Sequence, residues 1–236
     1  MKKILLAALS IVMLCLVGCQ KNYTTFEYYF KSFITAYFDY NNIDIVVKDG
    51  YNILVGPQFG EIYYESSEDP QNKARFDELA QHYNDLNYNK KYISASPFTT
   101  PNLMPVENIT EIEIVCLEDI NDRYVAGSSV ADFFTFKAVS PLRFIDTHYQ
   151  YSGEIGYYTN SYFYQYYEPR NKPLVAVSSN DLVLIGNGEI LYYNLFILTP
   201  TSANSTLLFG KKLRLTLKYK NQYPISKEFI LTTGRY

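Results

Sequence analysis

Cysteine, histidine and clustered tyrosine are the residues whose types and spacing bear on chemistry in this chain, and the first to consider is Cys19. It ends the stretch "LVGC" at Leu16–Cys19, which closes an apolar run from Ile4 to Val17 broken only by Ser10 and preceded by Lys2 and Lys3. A basic start, a short apolar run and small residues before the cut define a cleaved export signal. With cysteine at the new N-terminus, its thiol can take a diacylglyceryl group before cleavage, and several acyl chains on one residue anchor stably where a single chain does not. The apolar run of about fourteen residues is short of the ~20 needed to cross a bilayer, so a cleaved signal is expected over a membrane-spanning anchor. Residues 1–18 are read as a lipoprotein signal peptide, and residues 19–25 as lipidated Cys19 with a very short tether.

Removal of Cys15 and lipidation of Cys19 leave Cys116 alone in a mature chain of 218 of the 236 residues, so no intramolecular disulfide is expected. Cys116 lies in the alternating stretch "EIEIVCLE", where a small buried apolar side chain is the expected role. The two histidines, His82 and His148, have no zinc-ligand spacing with it. "AGSSVAD" at 126–132 lacks the second glycine of a nucleophile elbow, and its serines suit the cap of a short helical turn from Val130 to Phe133. "EDINDRYVAG" at 118–127 places Asp119, Asn121 and Asp122 as a calcium loop would. Arg123 then falls on an alternate ligand position and no closing glutamate follows, so a polar turn is expected. No catalytic residue, metal ligand or cofactor site is assigned, and nothing singles out a carboxylate pair of the kind a glycosidase needs.

The densest feature is "YYTNSYFYQYY" at 157–167, with six tyrosines and Phe163 in eleven positions. In a strand, Tyr162, Tyr164 and Tyr166 would share one face. A phenol offers a rigid apolar body with a hydroxyl at its tip, which suits stacking on a sugar or aromatic ligand. The same residues also favour strands through cross-strand packing, and 25 tyrosines with no tryptophan make clusters common in this chain. Packing is the expected role, with ligand binding by Tyr162, Tyr164 and Tyr166 kept as the alternative.

The elements that must position these residues read mainly as strands. Phe26, Phe30, Phe33 and Tyr37 have helical spacing and predict a helix within residues 26–40. "NIDIVVKDGYNILV" predicts a hairpin about Asp49-Gly50. A second helix is expected with Asp69 as cap, Pro70 in its first turn, the stripe Phe76, Leu79, Ala80, Tyr83 and Leu86 inward, and His82 exposed. The proline-bearing stretch 92–106 reads as a crossing loop and a possible sub-boundary. Beyond it, Ile112, Ile114 and Cys116, and later Leu213, Leu215, Leu217 and Tyr219, alternate with polar residues as half-buried strands do. His148 falls in an expected strand, a hairpin is expected to turn at Gly186-Asn187-Gly188, and "NQYP" at 221–224 joins the last two strands. The fold class expected is mainly β: an antiparallel β-sandwich-like domain over residues 26–236, with one or two helices in its N-terminal third.

Segment 109–136, "ITEIEIVCLEDINDRYVAGSSVADFFTF", resembles a small lipoprotein family of gut Bacteroidetes whose domain is of unknown function. A strand and an acidic turn precede Val125-Ala126-Gly127-Ser128 and Asp132-Phe133-Phe134, and the lipobox and final hairpin also fit. The resemblance implies an exported, lipid-anchored domain and carries over no site residues. In that phylum, acids after the lipidated cysteine are thought to direct surface display, and "CQKNYTT" has none, which implies the periplasmic side of the outer membrane.

Without Lys2 and Lys3, 19 basic residues face 24 acids, a formal charge of −5. Nucleic acid is therefore not an expected partner, since phosphate binding needs a basic footprint. "KKLRLTLKYK" at 211–220 reads instead as a strand with one solvated face. The function expected is that of a non-catalytic binding or assembly module, joined to membrane lipid through Cys19 and meeting another envelope protein or a glycan. The alternatives are a surface glycan-binding lipoprotein of a nutrient-uptake system and a hydrolase with unidentified acids.

Overall fold

The computed structural model describes residues 26–48, 52–94, 102–150, 168–184, 187–189, 192–201 and 205–232. Cys19 and the stretch holding Tyr162, Tyr164 and Tyr166 lie outside the described residues. The chain forms two compact units, one of residues up to Tyr29 with Lys91–Thr99, the other of Phe30–Lys90 with Thr100–Tyr236. The smaller carries a two-stranded ribbon of β1 (Phe26–Phe30) and β4 (Lys90–Ser94), across which Lys91 and Glu27 form an exposed ion pair at 2.7 Å.

The larger unit is mainly β and sandwich-like. Its six-stranded sheet runs β5 (Leu103–Pro105), β2 (Ala36–Lys48), β3 (Asn52–Tyr64), β11 (Phe196–Pro200), β7 (Phe134–Ser140) and β8 (Glu168–Pro173). All pairings are antiparallel except that of β2 with β5. A three-stranded sheet of β13 (Ile225–Ile230), β12 (Lys212–Tyr219) and β6 (Ile109–Cys116) faces it. The inner faces share one core: Ala36, Phe38, Ile43, Phe136 and Phe196 from the first sheet pack with Ile114, Cys116, Leu213, Leu215 and Leu217 from the second. This is the period-two pattern read from the sequence, with Glu113, Arg214, Thr216 and Lys218 on the outer face. There Lys218 Nζ reaches Glu113 at 2.6 Å and Glu111 at 3.3 Å, so the basic run "KKLRLTLKYK" is a solvated, ion-paired face.

A second apolar layer covers the other side of the six-stranded sheet. Tyr37, Met104 and Val139 point into it and meet Phe76, Leu79 and Ala80 of α1 (Pro70–His82) and Phe144 and Ile145 of α2 (Leu142–Asp146). Asp69 caps α1 by accepting the Gln71 N–H at 3.0 Å, Pro70 opens it, and His82 is exposed, all as the sequence predicts. A third short helix, α3 (Ser205–Leu208), precedes β12.

Burial on both faces explains the main correction. Residues 26–40 are β1, a loop and the start of β2, not a helix. Phe30, Phe33 and Tyr37 do pack in one cluster, as their spacing suggests, but the neighbouring Ala36, Phe38 and Tyr40 fill the opposite core. A strand between two apolar layers reads as a nearly continuous apolar run, which spacing alone cannot tell from a helix. Three further corrections follow. His148 lies beyond the end of α2 at φ 53°, not in a strand. Asn187–Glu189 is itself strand β9, paired with β10 (Tyr192–Asn194), so Asn187 and Gly188 lie in a strand and not in the expected turn. Stretch 92–106 is bounded by strand, with β4 running to Ser94 and β5 holding Pro105. β2 and β3 pair antiparallel down to Lys48↔Asn52, as the expected hairpin requires, with its turn at Asp49-Gly50 outside the described residues, and β12 and β13 flank "NQYP".

Both flanks of the sandwich are closed. On one, Lys227 of β13 donates to the Ile43 carbonyl of β2 at 3.0 Å and to Asp44 Oδ1 at 3.1 Å. On the other, β8 runs through 3-10 turns at Leu174–Ala176 and Ser179–Leu182, and the second packs on β6. Asp181 anchors that return: it accepts from Lys172 Nζ at 2.7 Å and from the Ser178 N–H and hydroxyl at 2.9 and 2.8 Å.

Cys116, fully buried with its Sγ directed at the Val125 carbonyl at 3.0 Å, should react with a thiol reagent orders of magnitude more slowly in the native protein than in denaturant. Fast labelling of the native chain with an absorbance-read disulfide reagent would contradict the inter-sheet packing.

Candidate functional site

Carboxyl side chains are buried in a few places, and in each they hold backbone. The most enclosed is Asp85, with no exposed surface. Its position follows from the end of α1. Asn84 takes φ 55°, its N–H bonds to the Gln81 carbonyl at 3.0 Å, and the Asp85 N–H bonds to the Ala80 carbonyl at 2.8 Å. This is a Schellman closure with asparagine, which tolerates the left-handed region, in the usual glycine place. The end of α2 repeats it: His148 has φ 53°, the His148 N–H reaches Ile145 O at 2.9 Å and the Tyr149 N–H reaches Phe144 O at 2.8 Å. Each closure delivers its next residue inward, and Tyr149 donates its hydroxyl to Asp85 Oδ1 at 2.8 Å. Tyr149 itself sits at φ 62°, a strained conformation for an aromatic residue that this contact and the neighbouring rings of Tyr88 and Phe144 hold in place.

The Asp85 carboxylate grips the loop between β1 and β2, accepting the Phe33 N–H at 2.8 Å and the Ile34 N–H at 2.7 Å. Glu65 takes the Lys31 N–H at 2.7 Å, and Asn102 satisfies the Phe33 carbonyl and the Thr35 and Ala36 N–H groups. Burial raises the Asp85 carboxyl above the usual carboxylate range against the opposing pull of these three donors. Burial also raises Glu65. Asp181 goes the other way: burial opposes its charge, but Lys172 and Ser178 outweigh it and bring the carboxyl down to about 2.

The polar turn 118–127 holds itself in the same manner. Asp119 Oδ1 accepts the Ala126 N–H at 2.8 Å, and Asn121 Oδ1 accepts those of Arg123 and Tyr124 at 2.9 and 3.1 Å, so two of the three side chains that suggested a calcium loop are engaged with backbone. The short turn is Ala131–Phe133 with Val130 at its cap position and no side-chain cap, so the expected serine cap is not formed; Ser129 Oγ accepts the Ala131 N–H at 3.3 Å just before it. Among the described residues no three His, Cys, Asp or Glu side chains stand together as a metal set, and no helix is long and apolar enough to cross a membrane.

What the described surface does offer is an apolar rim at one end of the sandwich. Val125, Leu207, Phe209 and Ile230 are each between 43% and 51% exposed. They come from three segments tied together by hydrogen bonds, two of them between main-chain groups. The Gly210 N–H bonds to the Leu231 carbonyl at 2.7 Å, Lys211 Nζ to the Asp119 carbonyl at 2.9 Å, and the Leu117 N–H to the Lys212 carbonyl at 2.9 Å. Gly210 has φ 74°, which lets the chain turn back sharply after α3 and sets Phe209 outward. Large apolar side chains on a rigid frame, rimmed by charge, suit contact with another surface. Little of this rim was readable: Val125 lies in the segment singled out above, whereas Leu207, Phe209 and Ile230 look like ordinary core residues until α3 and the β13 end are placed.

Asp85→Ala should destabilise the protein by about 3 to 5 kcal/mol in urea unfolding, because it strands two buried N–H donors. The carboxyl at Asp181 is depressed when folded, so its contribution, on the order of 2 kcal/mol, is present above its ordinary value of 3.8 and lost as pH falls toward about 2. Asp85 and Glu65 carry the opposite sign, their contribution falling as pH rises above the ordinary carboxylate value. Urea midpoints of the parent and Asp181→Asn chains between pH 4 and pH 2 should therefore converge. A gap that stays constant would contradict the assignment. No protein-family model, curated protein or solved structure matches the chain.

Proposed function

We propose that the chain is a lipid-anchored cell-envelope lipoprotein whose sandwich domain serves as a non-catalytic binding or assembly module. The observation that carries this reading is the apolar rim of Val125, Leu207, Phe209 and Ile230, mounted on a hydrogen-bonded frame. It is supported by the use of Asp85, Glu65 and Asp181 as backbone anchors. The lipobox "LVGC" supplies the membrane attachment, through acylated Cys19. The absence of acids in "CQKNYTT" favours the periplasmic face of the outer membrane, in keeping with the resemblance to Bacteroidetes lipoproteins. The partner of such a rim is another envelope protein.

A second reading, a surface glycan-binding lipoprotein, is favoured by "YFYQYY" at 162–167, where Tyr162, Tyr164 and Tyr166 alternate. A glycan array decides between the two: a sugar signal that Tyr164→Ala removes without moving the unfolding midpoint would put glycan binding first.

Replacing Cys19 by Ala should abolish incorporation of labelled palmitate and leave the protein soluble after cell fractionation. Label that still enters the Cys19→Ala chain would rule out the lipobox. Phe209→Asp should leave the unfolding midpoint within about 0.5 kcal/mol, as for an exposed position. It should at the same time remove the cross-linked adducts that the parent forms in intact envelopes, and adducts unchanged by Phe209→Asp would move the binding surface elsewhere.

A further inference from the structure

The chain passes between the two units at three places, after Tyr29, after Lys90 and after Thr99. Within the larger unit, residues beside all three meet at the loop between β1 and β2. The loop itself follows the first crossing. Its Lys31 carbonyl accepts the Tyr88 N–H at 2.8 Å and the Asn89 N–H at 3.3 Å, just before the second. Asn102, just after the third, donates its side-chain amide to the Phe33 carbonyl at 2.8 Å and its N–H to Thr35 Oγ1 at 3.0 Å. Whatever loosens residues 31–35 therefore loosens the larger unit at all three places together.

Two carboxyls hold that loop, and they are unequally matched. Asp85 accepts from the Phe33 N–H, the Ile34 N–H and the Tyr149 hydroxyl across both of its oxygens, which is how a buried carboxylate keeps its charge. Glu65 accepts the Lys31 N–H at 2.7 Å on Oε1, while its Oε2 is buried with no hydrogen-bond partner. An ionised carboxyl so placed lacks the water and donors that would spread its charge, whereas a neutral one keeps the Lys31 bond at no such cost. Burial is the largest influence on Glu65 and raises its carboxyl; the Lys31 and Ser32 N–H groups and Lys73 of α1 oppose the rise, and the Asp85 charge adds to it. Burial raises Asp85 as well, against the pull of its three donors. The other titratable groups facing the pair are the Tyr37 hydroxyl from β2 and the Tyr149 hydroxyl from beyond α2, both kept neutral by burial, and Lys73 is itself ion-paired with Asp77.

We propose that residues 31–35 are a proton-gated hinge of the larger unit, closed on Asp85 and Glu65 while Glu65 is protonated and loosened when Glu65 ionises beside the Asp85 carboxylate. The sign follows from linkage. A carboxyl that binds its proton more tightly in the closed loop than in the open one favours closure at acid pH, and that preference fades as pH rises above the ordinary value of 4.5. The hinge is independent of the apolar rim and of the lipid anchor.

The test is amide hydrogen exchange of the chain between pH 4 and pH 8, corrected for the intrinsic exchange rate, with β12 as the internal reference. Protection at residues 31–36 should lie below that of β12 and should fall with rising pH, by up to about tenfold per pH unit while Glu65 ionises. Glu65→Gln keeps an oxygen for the Lys31 N–H and cannot ionise, so its loop should stay protected at every pH. Loop amides that exchange only as slowly as β12 at every pH open with the whole unit and overturn the hinge. A pH dependence that survives in Glu65→Gln belongs to another group and overturns the role of Glu65. Carbon-detected NMR titration of the parent chain gives a check that does not depend on the variant folding: the Glu65 carboxyl should titrate above 4.5, and a midpoint at or below that value overturns the proposal.

Discussion

The larger unit depends on one constraint: the loop between β1 and β2 runs through the interior, where every backbone group must find a partner. Asp85 answers most of that demand with a single carboxylate, and Glu65 and Asn102 complete it from either side. Because Phe33 and Ile34 are held from within, β2 begins with Ala36 and Phe38 aimed at one core and Tyr37 at the other. All pairing in the six-stranded sheet builds outward from that strand and its partner β3. A charge buried this deeply is costly, and three donors at 2.7–2.8 Å are what make it tolerable.

The grip is itself positioned by helix ends rather than by the sheet. Asp85 and Tyr149 occupy equivalent places, one residue past left-handed turns that close α1 and α2, and they meet tip to tip. Two local motifs separated by more than sixty residues thus lock each other, and the aromatic shell of Phe33, Tyr88 and Phe144 excludes the water that would compete. Strain at Tyr149 is the local cost of bringing its hydroxyl to the carboxylate. The sandwich flanks use simpler devices, a lysine across one and the Asp181 cluster at the other.

Much of this was legible in the sequence where one physical rule dominates. The alternation in β6 and β12 gave both the fold class and the burial of Cys116, because each strand faces one core and one solvent layer. The Asp69-Pro70 start of α1 was equally plain, since capping is a local effect. Residues 26–40 misled because burial on two faces erases the period that separates strand from helix. Asp85 and Tyr149 gave no signal, as nothing in "HYNDLN" or "DTHYQY" says that their tips will touch. The apolar rim was hidden for the same reason: whether Phe209 and Ile230 are core or surface depends on where the Gly210 turn sends them. Tyr162, Tyr164 and Tyr166 and the lipidation site Cys19 remain sequence readings outside the described residues.

The outer strands of the six-stranded sheet both carry proline, Pro105 in β5 and Pro169 and Pro173 in β8. Proline fits a ladder strand only where its missing N–H would have pointed away from the partner, so positions 169 and 173 of β8 present no donor outward. A neighbouring chain that tried to add itself beyond β8 would find no donor at those two positions. For a β-rich chain, that makes this edge of the sheet a poor template: adjacent copies can crowd together without extending one another through β8 into a growing cross-strand assembly.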